Sequence, residues 1–173
     1  ELRPSYVGLA LLDDAGRMHR IRDTRRPRGV EDTGPWLNYD LLTAAPTARA
    51  VRRRRIVAYG DRAAFDADHP EPARRLIRDL DLHAIVAVPL VHVGGPLGAL
   101  ALGWDTPRRL EQVELLTITT LAGYTAQALD RIVDVFPSDR RAQIQVQLAH
   151  VLAGVVYQRL LPKTGGGLVA AFE

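Results

Sequence analysis

The run Tyr6-Val7-Gly8-Leu9-Ala10-Leu11-Leu12 carries no charge and stops at Asp13-Asp14-Ala15-Gly16, which reads as a strand entering a tight turn. Residues 17–22 then supply the returning strand. From 23 to 35 the composition shifts to Arg, Gly, Pro and Asp, a loop signature. Residues 36–42 are again apolar but without a period. A short helix is predicted over 47–52, with Thr47 as its cap, and a short strand over 56–59, closed by Gly60-Asp61. The stretch 66–72 reads as a polar loop. Pro72 suits the first turn of a helix over 73–80, in which Ala73, Leu76, Ile77 and Leu80 recur at spacings of three and four.

The strongest β pattern lies at 84–93 and 97–104, two almost wholly apolar runs joined by Gly94-Gly95-Pro96. Such a pair predicts a hairpin placed centrally in a sheet that is covered on both faces. Thr106 and Pro107 are expected to cap and open a long helix. Its seam of Leu115, Ile118, Ala122, Thr125, Leu129, Ile132 and Phe136 keeps a helical spacing throughout. Pro137-Ser138 interrupts it. A second helix is expected over 139–161, carrying Ile144, Leu148, Val151, Leu152, Val155 and Val156, with Pro162 as its stop and Gly165-Gly166-Gly167 as a linker beyond. No segment repeats.

A chain of 173 residues with 47% hydrophobic and 25% charged positions suits one globular domain with a helical extension. No apolar run reaches the roughly 18–20 residues that would cross a bilayer, and no leader pattern opens the chain, so a cytoplasmic location is expected. The start at Glu1 reads as that of an excised fragment. Cysteine is absent, which excludes disulfides, thiolate metal sites, cysteine nucleophiles and thioether-linked chromophores. Lys163 is the only lysine among 23 basic residues. The arginines cluster at 17–28 and 49–55, but no aromatic side chains interleave within either cluster as single-strand binding would need. A solvated face is the plainer reading, and nucleic acid is an unlikely partner on this pattern.

The chemistry available is thin. Ser5 and Ser138 are the only serines, and neither stands in the turn that exposes a hydrolase nucleophile. Asp66, Asp68, His69 and Glu71 do not follow a calcium-loop order. Gly165-x-Gly167-x-x-Ala170 lacks the strand and helix of a dinucleotide site. His19, His69, His83, His92 and His150 include no pair at i, i+4; His83 and His92 near the central strand are read as ordinary strand histidines rather than haem ligands. No catalytic residue, metal site or cofactor is therefore predicted. Trp36, Tyr39 and Tyr59 are the candidate walls of a small-ligand pocket, with core packing as the alternative.

The order of these elements resembles the GAF sensory domain. The telling residues are Ala87-Val88-Pro89-Leu90 and Val93-Gly94-Gly95-Pro96-Leu97-Gly98-Ala99-Leu100-Ala101-Leu102, followed by the helix that ends Ala122-Gly123-Tyr124-Thr125-Ala126-Gln127-Ala128-Leu129-Asp130-Arg131. Residues 47–57 are similar to the family's short helix and next strand. The likeness covers about residues 5–135. It implies an α/β (α+β) fold: a GAF/PAS-like, mostly antiparallel sheet of five or six strands flanked by helices, with long C-terminal helices. Two departures matter. Residues 1–4 cannot supply the family's usual first helix, and the signature of its cyclic-nucleotide-binding members is missing.

The tail, Gln158-Arg159-Leu160-Leu161-Pro162 and then Gly167-Leu168-Val169-Ala170-Ala171, is similar to the junction at which actinobacterial GAF sensors pass into PPM-type (sporulation stage II E-like) serine phosphatases. The resemblance implies a sensor domain over 1–136, a connecting and dimerisation helix over 137–162, and a linker over 163–173 toward an output domain. On that reading the chain is non-catalytic. It binds a small ligand or partner, forms a homodimer through its C-terminal helices, and signals to a phosphatase. The alternatives are a phosphatase fragment with hydrolase activity, and a basic dimerisation module that contacts nucleic acid or an acidic partner.

Overall fold

Tyr6–Leu12 (β1) and Arg17–Asp23 (β2) form the first hairpin, closed where the Asp13 carboxylate accepts from the Arg17 N–H at 2.8 Å. In the computed structural model of the chain the residues described are 2–23, 37–134, 158–162 and 168–172. After β2 come Asn38–Asp40 (β3), Pro46–Arg53 (α1), Val57–Tyr59 (β4), Arg62–Asp68 (α2), Glu71–Asp79 (α3), Ala84–His92 (β5), Gly95–Trp104 (β6) and Gln112–Asp134 (α4). The first six strands make one antiparallel sheet in the order β3-β2-β1-β6-β5-β4. The expected hairpin at 84–104 lies within this sheet, as its apolar character on both faces required.

The two faces carry different side chains. On one, Val86, Val88 and Leu90 of β5 and Leu102 and Trp104 of β6 pack against Ile118, Ala122, Ala126 and Leu129 of α4. On the other, small residues predominate: Ala10, Ala99 and Ala101 meet α1 and α3 through Ala48, Val51, Ala73 and Ile77. The approach of β1 to β6 is tight. A Cβ on Gly98 would collide with the carbonyl of Ala10 and lie 2.8 Å from the Leu11 Cα, so only glycine fits there.

Several expectations are corrected. Thr47 does not cap α1; Ala45 holds the N-cap position, Pro46 opens the helix, and the Thr47 hydroxyl turns to Tyr39 instead. The start of the predicted polar loop, 66–68, is the end of α2, whose cap is the Asp61 carboxylate accepting from the Ala64 N–H at 2.7 Å. The long helix starts at Gln112 rather than Pro107. The Arg108 N–H is taken by the Gly60 carbonyl at 2.8 Å, which holds this segment extended, and Glu114 reaches back to the Glu111 N–H at 3.0 Å as half of a capping box.

The second predicted helix, 139–161, falls mostly outside the described residues. Its end does not: Gln158–Pro162 is a strand (β7) paired antiparallel with Leu168–Phe172 (β8), inside the stretch expected to be linker. Helical spacing continued through Leu160 and Leu161 because the competing partner, Val169 and Ala170, lies further along the chain. The helical seam is used within the domain. Ile118, Ala122 and Leu129 are spent on the chain's own sheet, whereas Val113 and Leu116, 73% and 65% exposed, face outward. Phe136 lies outside the described residues.

Candidate functional site

A cleft opens on the face of the sheet opposite α4. Its floor is Gly8, Ala10 and Ala101, positions whose small side chains leave space above the strands. Leu76, Ile77 and Leu80 of the α3 end form one wall, Ala45, Pro46 and Thr47 the other. The cavity between them is narrow, about 40 Å³, and open to solvent on one side. The polar groups are few: Tyr6, Tyr39, Thr47 and Arg20. Tyr6 folds back along β1, so a Cβ on Gly8 would strike its ring. No carboxylate, histidine or serine lines the cleft among the described residues.

Tyr39, one of the three predicted wall residues, does line this cleft. It is buried, and its hydroxyl shares a 2.7 Å hydrogen bond with Thr47 Oγ1. Burial raises its phenol above the usual tyrosine range, and the Thr47 bond and the nearby Arg20 charge offset only part of that. Trp36 lies outside the described residues. Tyr59 stands elsewhere, beside a second depression walled by Trp104 and Arg108. There the Arg108 guanidinium sits 5.2 Å from the Trp104 ring centre.

Tyr59 is the centre of a network that spacing alone did not reveal. Its hydroxyl donates to Asp68 Oδ2 at 2.5 Å and accepts from Arg49 at 2.7 Å, while Arg49 also ion-pairs with Asp68 and donates to its carbonyl at 3.0 Å. Three elements, α1, β4 and α2, are tied at one point. Burial and the bond to Asp68 push the Tyr59 phenol up to about 12. Tyr59's bond holds the Asp68 carboxyl below the usual carboxylate range.

Beneath it, His69 stacks on Phe65 with ring centres 4.0 Å apart, and Tyr59 meets both rings edge-on. His69 is 2% exposed; its Nδ1 donates to the Phe65 carbonyl at 3.1 Å, and its Nε2 has no hydrogen-bond partner among the described residues. Burial lowers its pKa below the usual 6.5. The other described histidines are engaged or distant. His19 bridges Asp13 and Asn38 at 2.7 and 2.8 Å, and His92 Nδ1 pairs with Asp130. No group of three metal-ligating side chains occurs among the described residues, and no helix there is long and apolar enough to cross a membrane.

This architecture is that of a GAF fold. A model of the GAF domain family matches residues 1–130. The chain belongs to the GAF domain family. Among solved structures it is similar to the GAF domain/HD domain protein of Geobacter sulfurreducens (TM-score 0.61, 19% identity, covering 78% of this chain and 84% of that one). It is also similar to the GAF domain of a two-component sensor histidine kinase of Bacillus halodurans (0.60, 14%, 75% and 84%). A third likeness is to the type II free methionine-R-sulfoxide reductase of Thermoplasma acidophilum (0.54, 16%, 72% and 78%). At these identities the likeness is one of fold.

A different likeness is short. Over 48 residues the chain is 46% identical to the type IV pilus retractation ATPase PilT of Pseudomonas aeruginosa. That stretch is 28% of this chain, and the chain spans only 14% of that relative's length.

Proposed function

We propose that this chain is a non-catalytic sensor domain that binds a small, largely apolar ligand in the cleft over Gly8, Ala10 and Ala101, and passes the change through α4 to an output domain. The carrying observation is that β1 and β6 are shared: Gly8, Ala10 and Ala101 floor the cleft on one face, while Leu11 and Leu102 of the same strands pack with α4 on the other. A ligand shifts such a domain only through unequal affinity for two arrangements, and a cleft bounded by α3 and the start of α1 offers a closing movement on which that inequality can act. Tyr39, Thr47 and Arg20 place polar groups at one side of apolar walls, which suits a ligand with one polar end.

The test is mass spectrometry of the purified protein under native and denaturing conditions, repeated on Ala101→Leu. A small molecule retained natively and lost in the folded variant is the expected result. Equal retention by both would remove the cleft from the reading.

The output carries two readings. The tail resemblance favours a PPM-type phosphatase, and the short likeness to PilT favours an ATPase of that kind. Assays of the longer protein for phosphatase turnover with manganese and for ATP hydrolysis separate them. We further propose a homodimer. With the α4 seam occupied by the sheet, the contact falls to the outer side of α4, where Val113 and Leu116 are exposed, together with the apolar positions of 139–156. Light scattering after gel filtration gives the mass; a value near one chain sinks the dimer.

A further inference from the structure

At the far edge of the sheet, β4 pairs with β5 only across Ile85, Val86 and Ala87. Beyond Ala87 no strand covers that side of β5 among the described residues, and an open groove of about 590 Å³ runs between this edge and α4. Its floor is apolar, made by Val88, Pro89 and Val91, the last 45% exposed. Its walls are Arg54 and Arg55 on one side and the α4 flank at Gly123 on the other.

Three observations bear on what fits there. The first is charge. Arg53, Arg54 and Arg55 are exposed, and among the described residues their side chains have no hydrogen bond or ion pair. Arg52 stands beside them, its guanidinium held by the carbonyls of Leu41 and Thr43. One rim of an apolar trough is thus strongly positive.

The second is backbone conformation. Arg54 closes α1 in the left-handed region, at φ 50°, where glycine is favoured over any residue with a Cβ. An arginine stands at the position least suited to one, with its side chain on the rim.

The third is space. Gly123 interrupts the exposed flank of α4, and a Cβ added to it would meet nothing within 4 Å. No packing within the domain requires glycine there, and its absence of a side chain leaves the groove deep at its middle. Pro89 has no N–H, so this edge cannot offer a complete ladder to an added strand. An occupant is held by side chains and charge rather than by β-pairing.

We infer that this groove is a docking site for an acidic segment of a partner protein that carries apolar side chains, the carboxylates meeting Arg53, Arg54 and Arg55 and the apolar groups resting on Val88, Pro89 and Val91. An apolar floor favours such a segment over a nucleic acid, whose phosphates would use the arginines and leave the floor exposed to water. The site is separate from the ligand cleft, so it stands or falls independently of the proposed sensing.

The probe is a fluorescein-labelled peptide of about 18 residues, roughly five helical turns, built of glutamate with leucine at every third or fourth position. It is titrated by anisotropy into the whole chain. Arg54→Gly with Arg55→Ser removes the two charges that line the groove, leaving Arg53, and suits the left-handed turn, so the fold is kept. Gly123→Leu fills the groove where there is room. Circular dichroism and Tm are recorded for both.

Binding that weakens about tenfold or more in each folded variant, and by as much when the leucines of the peptide become serine, is the expected result. No binding at millimolar protein overturns the inference. So does binding indifferent to the groove variants or to the leucines. A single-stranded oligonucleotide that displaces the peptide and binds more tightly would assign the arginines to phosphate and overturn it as well.

Discussion

His92 Nδ1 at the end of β5 lies 2.9 Å from Asp130 Oδ1 near the end of α4. The pair fixes the tip of the central hairpin to the last turns of α4. Both side chains are partly exposed, so their contribution to global stability is on the order of 0–1 kcal/mol. Its effect is local. Asp130→Asn is expected to speed amide hydrogen exchange in the last turns of α4 while leaving β1 and β6 unchanged. Unaltered exchange there would mean that Leu129 alone anchors this end.

Two glycines should respond in opposite ways to the same substitution. Gly98→Ala forces a Cβ into the backbone of Ala10 and Leu11 and is expected to destabilise the domain by about 3 kcal/mol or more, at the upper end for overpacking. Gly123→Ala meets nothing and replaces a poor helix former, which should stabilise by about 0.5–1 kcal/mol. Urea denaturation of both variants checks the pair, and similar midpoints would contradict the packing described.

Stability should fall as pH drops through the range just below 6.5. His69 is held neutral in the fold by burial, so its folded pKa lies below the unfolded value of 6.5 and the unfolded chain binds more protons in between. The stabilisation is complete above 6.5 and declines from there toward the lower folded value. Asp68 and Glu114 have lowered carboxyl pKa values and add their loss only in the more acidic carboxylate range. Comparing Tm in phosphate and acetate buffers across this window, for the parent and for His69→Phe, isolates the histidine; an equal slope in both would reject its role.

Tyr59→Phe keeps the ring against Phe65 and His69 but removes the hydroxyl between Arg49 and Asp68. A loss of about 1–2 kcal/mol is expected from chemical denaturation, since the bond is charge-assisted yet partly exposed. In alkaline titration followed by ultraviolet absorbance, Tyr59 should ionise only near pH 12, and the variant should show one late-ionising phenol fewer than the parent, the buried Tyr39 remaining in both.

The apolar hairpin at 84–104 and the seam of α4 were legible because each announces itself by period within one stretch of chain. α2 was not. Phe65 is its only buried side chain, so Asp66, Asp68 and His69 read as a polar loop although Asp61 stood in place as a cap. The cleft was half legible: Tyr39 was visible as an aromatic, but its floor consists of Gly8, Ala10 and Ala101, which look unremarkable until β1 and β6 are paired. Nor does any spacing link Arg49 to Asp68; three elements must fold before they meet.

The four buried residues of α4, Ile118, Ala122, Ala126 and Leu129, seat the middle of a 23-residue rod on the sheet. At 1.5 Å per residue the rod is about 35 Å long, so a tilt of about 5° swings each end by about 1.5 Å. Closely packed cores transmit displacement rather than absorb it. On the proposed sensing, a change in the sheet too small to alter any strand pairing would reach Asp134 as a displacement of that size.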